Sequence, residues 1–171
     1  KVLIISADDQ NSIFKLFGCG DFVTNQENMY LEHLLAGQCN PEDIVCEARI
    51  NMYIIKTLNT GSLSFALQVK RQEERKLIDT IKGFTNFFDY IFIDFPPSSS
   101  RLSEILLDIS DSILLVVGLD TLGLDGYINT IQFFVDSDIN LDKIKYIVPT
   151  QYHPVKLAPK SCLKELKIQA S

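Results

Sequence analysis

The sequence predicts an α/β fold, a mostly parallel sheet flanked by helices on both faces, and three observations predict it. Five short runs are continuously apolar rather than alternating, as strands covered on both faces are. The segments between them carry apolar residues at helical spacing. A length of 171 residues with 46% hydrophobic content is enough for one domain to bury a sizeable core.

Taken in order, the expected strands are Val2 to Ile5, Met52 to Ile55, Tyr90 to Ile93, Ile113 to Val117 and Ile144 to Val148. A short helix is expected near Tyr30 to Leu35, ended by Gly37. Thr57 to Ser64, with Gly61, reads as a polar turn, and Phe65 to Phe84 as one long surface helix around the charged stretch Lys70 to Lys76. Leu102, Ile105, Leu106 and Ile109 form one helical stripe, and Leu124, Tyr127, Ile128, Ile131, Phe134 and Val135 form another. Pro96-Pro97-Ser98-Ser99-Ser100 is a loop between a strand and a helix. With no repeat, low-complexity tail or linker, residues 1–171 read as one domain or most of one. Lys1 leads straight into an apolar run with no starting Met, so a segment upstream is expected to be missing, and the C-terminus also reads as cut.

Charge and cysteines narrow the function. The 22 acidic against 16 basic residues give a net charge of −6, which argues against a DNA clamp running over the whole surface and leaves room for a local basic patch. Cys19, Cys39, Cys46 and Cys162 form no CxxC pair and lack a histidine at zinc-ligand spacing, so they read as reduced thiols of a cytosolic protein. No apolar run approaches the about 18 residues a membrane span needs. Leu157 to Ile168 is too short and too mixed for a membrane-surface helix. The expectation is a soluble, cytoplasmic protein.

The strongest chemical signal is Phe88-Asp89-Tyr90-Ile91-Phe92-Ile93-Asp94-Phe95-Pro96-Pro97-Ser98, an apolar strand that ends in an aspartate and a stiff proline turn. A carboxylate at the C-terminal end of a parallel strand faces the crevice where open α/β sheets bind ligands. By itself an apolar run ending in Asp is more often a strand terminus or a helix cap. The double proline and its flanks make it more specific.

This segment resembles the Walker B strand of the ParA family of partition ATPases, which reads like YDYIIIDCPPS. The chain that follows is similar as well: Leu102 to Ile109, then Asp111-Ser112-Ile113-Leu114-Leu115-Val116-Val117, then Leu122-Gly123-Leu124-Asp125-Gly126. Upstream, Val2-Leu3-Ile4-Ile5-Ser6-Ala7-Asp8-Asp9-Gln10-Asn11-Ser12 resembles the family's VLLIDLDPQGN. Asp8 falls on its second aspartate, while Ser6 replaces the first aspartate, Asp9 the proline and Asn11 the glycine. Ile147-Val148-Pro149-Thr150-Gln151-Tyr152-His153-Pro154 resembles the strand and loop that close over the adenine.

The resemblance implies a P-loop NTPase of the ParA/MinD superfamily that uses ATP or ADP and Mg2+. It implies that Asp94 and Asp8 hold the metal shell, that Asp8 also orients the attacking water, and that Gln10, Pro96, Pro97 and Ser98 belong to switch segments. Thr150, Gln151 and Pro154 would bind the nucleotide base. The implied partners are a second copy in an ATP-bound homodimer, a stimulating ParB-like protein and non-specific DNA, with no membrane, in a nucleoid-associated cytoplasmic setting.

One part is missing. A phosphate-binding loop needs glycines for close backbone approach and a lysine after the last of them. None of the eight glycines here is followed by lysine, and Gly18-Cys19-Gly20 reads as a turn. The family's loop, of the form KGGVGKT, belongs upstream of Val2, so the resemblance holds for an ATPase domain without its Walker A strand, loop and helix. Two other readings stay open: a MinD-like or flagellar-regulator-like ATPase, and a non-hydrolysing scaffold that keeps the fold for dimerisation.

Overall fold

All five apolar runs form strands in the computed structural model, which describes residues 1–19, 30–96 and 99–170. With one further strand they are β1 (Val2–Ser6), β2 (Cys46–Arg49), β3 (Met52–Ile55), β4 (Tyr90–Asp94), β5 (Ile113–Gly118) and β6 (Ile144–Thr150). Eight helices accompany them among the described residues: α1 (Ser12–Leu16), α2 (Leu31–Leu35), α3 (Pro41–Ile44), α4 (Thr60–Val69), α5 (Arg71–Phe84), α6 (Arg101–Ile109), α7 (Thr121–Asp136) and α8 (Leu157–Gln169). The chain divides into two compact units, Lys1–Leu106 and Leu107 onward, with the boundary inside α6.

In the first unit four strands lie in the order β2-β3-β1-β4. β1 pairs in parallel with β3 on one side and β4 on the other, in a register that sets Ser6 beside Asp94. Leu3 and Ile5 of β1 and Ile54 and Ile55 of β3 are completely buried. At roughly 1.5–3 kcal/mol for each large aliphatic side chain removed from water, this central strip is what pins the register. Leu31 of α2, Leu67 of α4 and Leu77 of α5 complete the core.

In the second unit β5 and β6 pair in parallel. Val117 and Leu119 meet Leu124 and Tyr127 of α7 and Cys162 and Leu166 of α8 in one buried cluster. Asp120 caps α7 by accepting the Gly123 N–H at 2.7 Å. α7 then approaches the end of β5 so closely that a Cβ on Gly123 would lie 2.1 Å from the Gly118 carbonyl oxygen. Glycine is the residue this contact permits.

Several expectations need correction. The stretch from Phe65 to Phe84 is two helices, not one, because Lys70 adopts an extended conformation (φ −125°, ψ 99°) between them. No Gly or Pro marks that break; it lets α4 bury Leu63 and Leu67 while α5 buries Leu77, Ile81 and Phe84. The polar turn predicted over Thr57 to Ser64 is shorter, since the Asn59 side chain accepts the Ser62 N–H and starts α4 at Thr60. β2 was not anticipated; it runs antiparallel to β3 through a turn with Asn51 at φ 62°. The expected parallel pairing holds within each unit, among β1, β3 and β4 in the first and between β5 and β6 in the second. Tyr90 and Phe92 on β4 and Leu114 and Val116 on β5 are exposed. The four cysteines are free thiols, and no helix among the described residues is long and apolar enough to cross a membrane.

Candidate functional site

Two aspartates from distant parts of the chain, Asp8 and Asp94, lie at the carboxyl ends of β1 and β4. Parallel pairing aligns the two strand exits, and the Ala7 N–H donates to the Asp94 carbonyl at 2.9 Å, so the chain leaving β1 passes directly over the end of β4. Asp8 is the next residue. Its carboxylate accepts the Gln10 N–H at 3.0 Å, and the Asn11 N–H reaches the Asp8 carbonyl at 3.0 Å, which folds residues 8–11 into a tight turn. Partial burial and then the nearby Asp8 carboxylate push the Asp94 carboxyl above the usual carboxylate range. As a residue Asp94 nonetheless remains exposed.

Beside this pair runs an open groove of about 400 Å³ lined by Ile4, Phe92, Ile93 and Asp94 of the sheet and Ser12, Ile13 and Leu16 of α1. Its walls are mostly apolar, with Asp94 among them. A second negative charge near a partly desolvated carboxyl is relieved when a cation neutralises it. Among the described residues no group of three or more His, Cys, Asp or Glu is arranged to hold a metal by itself. Two carboxylates fit Mg2+, which takes one or two carboxylates and fills its other positions with water and phosphate oxygens. The donor set is hard oxygen only, with no thiol or imidazole among the site residues described.

The other predicted residues fall in different places. Gln10 is exposed on the turn, and its side-chain amide donates to Asp9 at 3.3 Å. Pro96 is half-buried just after β4, and Pro97 and Ser98 lie outside the described residues, as does Gly20 of the predicted Gly18-Cys19-Gly20 turn. Thr150, Gln151 and Pro154 belong to the second unit. The Thr150 hydroxyl donates to the Val117 carbonyl at 3.3 Å and its carbonyl accepts the Leu119 N–H at 3.0 Å, which ties the end of β6 to β5. Gln151 turns the chain with φ 60° and is exposed, with its Oε1 close to Gly118; Pro154 is exposed in the turn beyond.

Thr57 and Lys56, at the end of β3, were given no role by sequence, and Asn11 entered only as a departure from the family's glycine. Thr57, fully buried, donates its hydroxyl to the Ser6 carbonyl at 2.6 Å. Lys56, buried at the end of β3, sets its ammonium over the rings of Tyr30 at 4.6 Å and Phe14 at 5.2 Å, and desolvation pulls its pKa down. Asn11 bridges the turn to Thr57. For Lys56 and Thr57 the only local signal was polarity directly after an apolar strand.

Comparison with known proteins bears out the resemblance. A family model described as an AAA domain matches residues 1–144. The tyrosine-protein kinase CpsD of Streptococcus agalactiae is 30% identical over 97 residues, which are 57% of this chain and 39% of that protein. The chain thus spans well under half the length of the curated relatives it matches. Among solved structures, cobyrinic acid a,c-diamide synthase from Mycobacterium smegmatis, with ADP and magnesium bound, superposes with a TM-score of 0.79 at 18% identity over 99% of this chain and 69% of that one. A putative plasmid partition protein from Borrelia burgdorferi B31 bound to AMPPNP superposes with a TM-score of 0.77 at 19% identity over 98% of this chain and 70% of that one. McdA from Cyanothece, in complex with ATP, gives 0.79 at 19% identity, covering 99% and 68%. These likenesses establish the α/β fold of the P-loop NTPases.

Proposed function

We propose, for a chain that belongs to the AAA domain family, that it forms the metal-side portion of an ATP-driven switch. In this reading the protein binds and hydrolyses ATP with Mg2+, dimerises in the ATP state, binds DNA non-specifically and is stimulated by a ParB-like partner. Its work would be the partition of a DNA element, in the cytoplasm on the nucleoid. The observation that carries it is the meeting of Asp8 and Asp94 at the mouth of a parallel sheet, with the Asp94 carboxyl held up by burial and by its neighbour.

When bound, Mg2+ supplies charge neutralisation for the transferred phosphoryl group. The residues of this chain have the remaining roles. Asp94 holds the metal shell. Asp8 shares that shell and orients the attacking water, a task that demands position more than basicity. Thr150, Gln151 and Pro154 contact the base, and Gln10 with Pro96, Pro97 and Ser98 respond to the state of the phosphates. Residues 1–171 are proposed to act as one ATPase domain, completed by a phosphate-binding loop that these residues do not contain.

A second reading, a non-hydrolysing scaffold of the same fold, is favoured by one observation: no glycine is followed by lysine. The two separate in the full-length protein. Asp94→Ala is expected to abolish Mg2+-dependent ATP hydrolysis, and Asp8→Ala to keep nucleotide binding while blocking turnover. Unchanged steady-state hydrolysis in Asp94→Ala would rule out the switch reading, and a wild-type protein that binds no ATP would favour the scaffold.

A further inference from the structure

The turn that carries Asp8 is tied to the loop after β3 by side chains that the proposed chemistry does not use. The Asn11 side-chain amide donates to the Thr57 carbonyl at 2.8 Å and to the Asp9 carbonyl at 2.9 Å, while its oxygen accepts the Thr57 N–H at 3.3 Å. It therefore grips both the N–H and the carbonyl of Thr57 with the two ends of one amide. Asp9 makes a second strap by accepting the Thr60 hydroxyl at 3.1 Å. Thr57 answers with its own hydroxyl to the carbonyl of Ser6, at the end of β1. From the far side, the Glu32 carboxylate accepts the Leu58 and Asn59 N–H groups at 2.8–3.0 Å, so the 57–60 loop is held on both flanks.

Asn11 achieves this from a left-handed backbone conformation, φ 46° and ψ 37°. Asparagine tolerates that region better than most residues, and here its side chain is satisfied across 46 positions of sequence as well as locally. A turn residue needed only for chain reversal would not require a two-ended amide clamp on a distant main chain.

We propose that Asn11 is a positioning residue: with Asp9 and Thr60 it locks the Asp8–Asn11 turn to the Thr57–Thr60 loop and so fixes the Asp8 carboxylate beside Asp94. The inference rests on the ATP-switch reading for the reaction it serves. Its physical content is preorganisation, since a misplacement of about 1 Å in a group that orients an attacking water costs up to roughly a hundredfold in rate. It also makes the 57–60 loop a lever: whatever pulls that loop moves the carboxylate.

The test uses Asn11→Gly in the full-length protein, because glycine keeps the left-handed backbone while deleting the clamp. Two readouts are taken, hydrogen exchange at the Thr57 amide and steady-state ATP hydrolysis with Mg2+. The expected result is faster exchange at Thr57, a fall in kcat of about tenfold to a hundredfold, and a KM for ATP unchanged within a factor of about two. A merely structural role would speed exchange and lower the melting temperature without splitting kcat from KM. Unchanged kcat overturns the proposal, as does a loss confined to KM. If Asn11→Gly does not fold, Thr60→Ala, which cuts only the exposed strap to Asp9, decides: a lower kcat at constant KM supports the lock, and wild-type kcat overturns it. A wild-type protein with no Mg2+-dependent turnover defeats the switch reading itself and this inference with it.

Discussion

Two glycines three residues apart on α7 should respond in opposite directions to the same substitution. Alanine at Gly123 would set a Cβ 2.1 Å from the Gly118 carbonyl oxygen, whereas real Cβ atoms essentially never come within 3.0 Å; at Gly126 nothing lies within 4 Å. The Gly118 oxygen is main chain at the end of β5, so relief requires α7 to retreat by roughly 1 Å, and overpacking of this kind costs about 1–3 kcal/mol. Retreat would also stretch the 2.7 Å bond from the Gly123 N–H to Asp120, a cap of about 1 kcal/mol. Against this, alanine gains up to about 1 kcal/mol over glycine in a helix interior, as at Gly126, and less in the first turn, where Gly123 lies. Gly126→Ala should therefore stabilise slightly and Gly123→Ala destabilise. The difference between the variants should be about 1–3 kcal/mol or more. Urea unfolding of both variants and the wild type, with slopes compared to exclude a change in the unfolded state, measures it. Equal midpoints for the two variants would refute the close approach of α7 to β5.

Three further outcomes follow from the first unit. Because the Asp94 carboxyl is raised, the folded state holds its proton more tightly than the unfolded chain does. Stability from this group is therefore full at low pH and is lost as pH rises through the folded value, so Asp94→Asn should be more stable than wild type at neutral pH. That advantage should vanish below the ordinary carboxylate range; denaturation midpoints across pH check the sign, and a constant difference would contradict it. Thr57→Val removes a buried hydroxyl that satisfies the Ser6 carbonyl and should cost about 1–3 kcal/mol, read by chemical denaturation. In the full-length protein Asp94→Ala and Asp8→Ala should differ in kind: loss of Mg2+-dependent hydrolysis in the first, and nucleotide retained without turnover in the second, measured by phosphate release and by binding of a fluorescent ATP analogue.

The strands were legible because their signal is local. Met52 to Ile55 is a strand at the limits expected, and the other four differ by a residue or two at their carboxyl ends. α6 and α7 were equally plain, since Leu102, Ile105 and Leu106 of the first and Leu124, Tyr127 and Phe134 of the second repeat with the period of a helix and are buried. The break at Lys70 and the antiparallel β2 were not legible, as neither carries a breaker or an alternating pattern strong enough to outweigh its surroundings; packing against neighbouring elements sets both.

For the site, chemistry and position separate in the same way. An aspartate after an apolar strand, a double proline and a polar turn are properties of short stretches, and it was their resemblance, in order and spacing, to one family that nominated Asp8 and Asp94. That these two aspartates come near one another depends on β1 pairing in parallel with β4 across more than eighty residues of intervening chain, and the turn that carries Asp8 depends on Asn11 finding Thr57 at a separation of 46. The pairing of β1 with β3, which brings Asn11 to Thr57, comes with burying Leu3, Ile5, Ile54 and Ile55 together, a collective choice that no single segment encodes. Residue type is written along the chain, whereas proximity is produced only when the core closes.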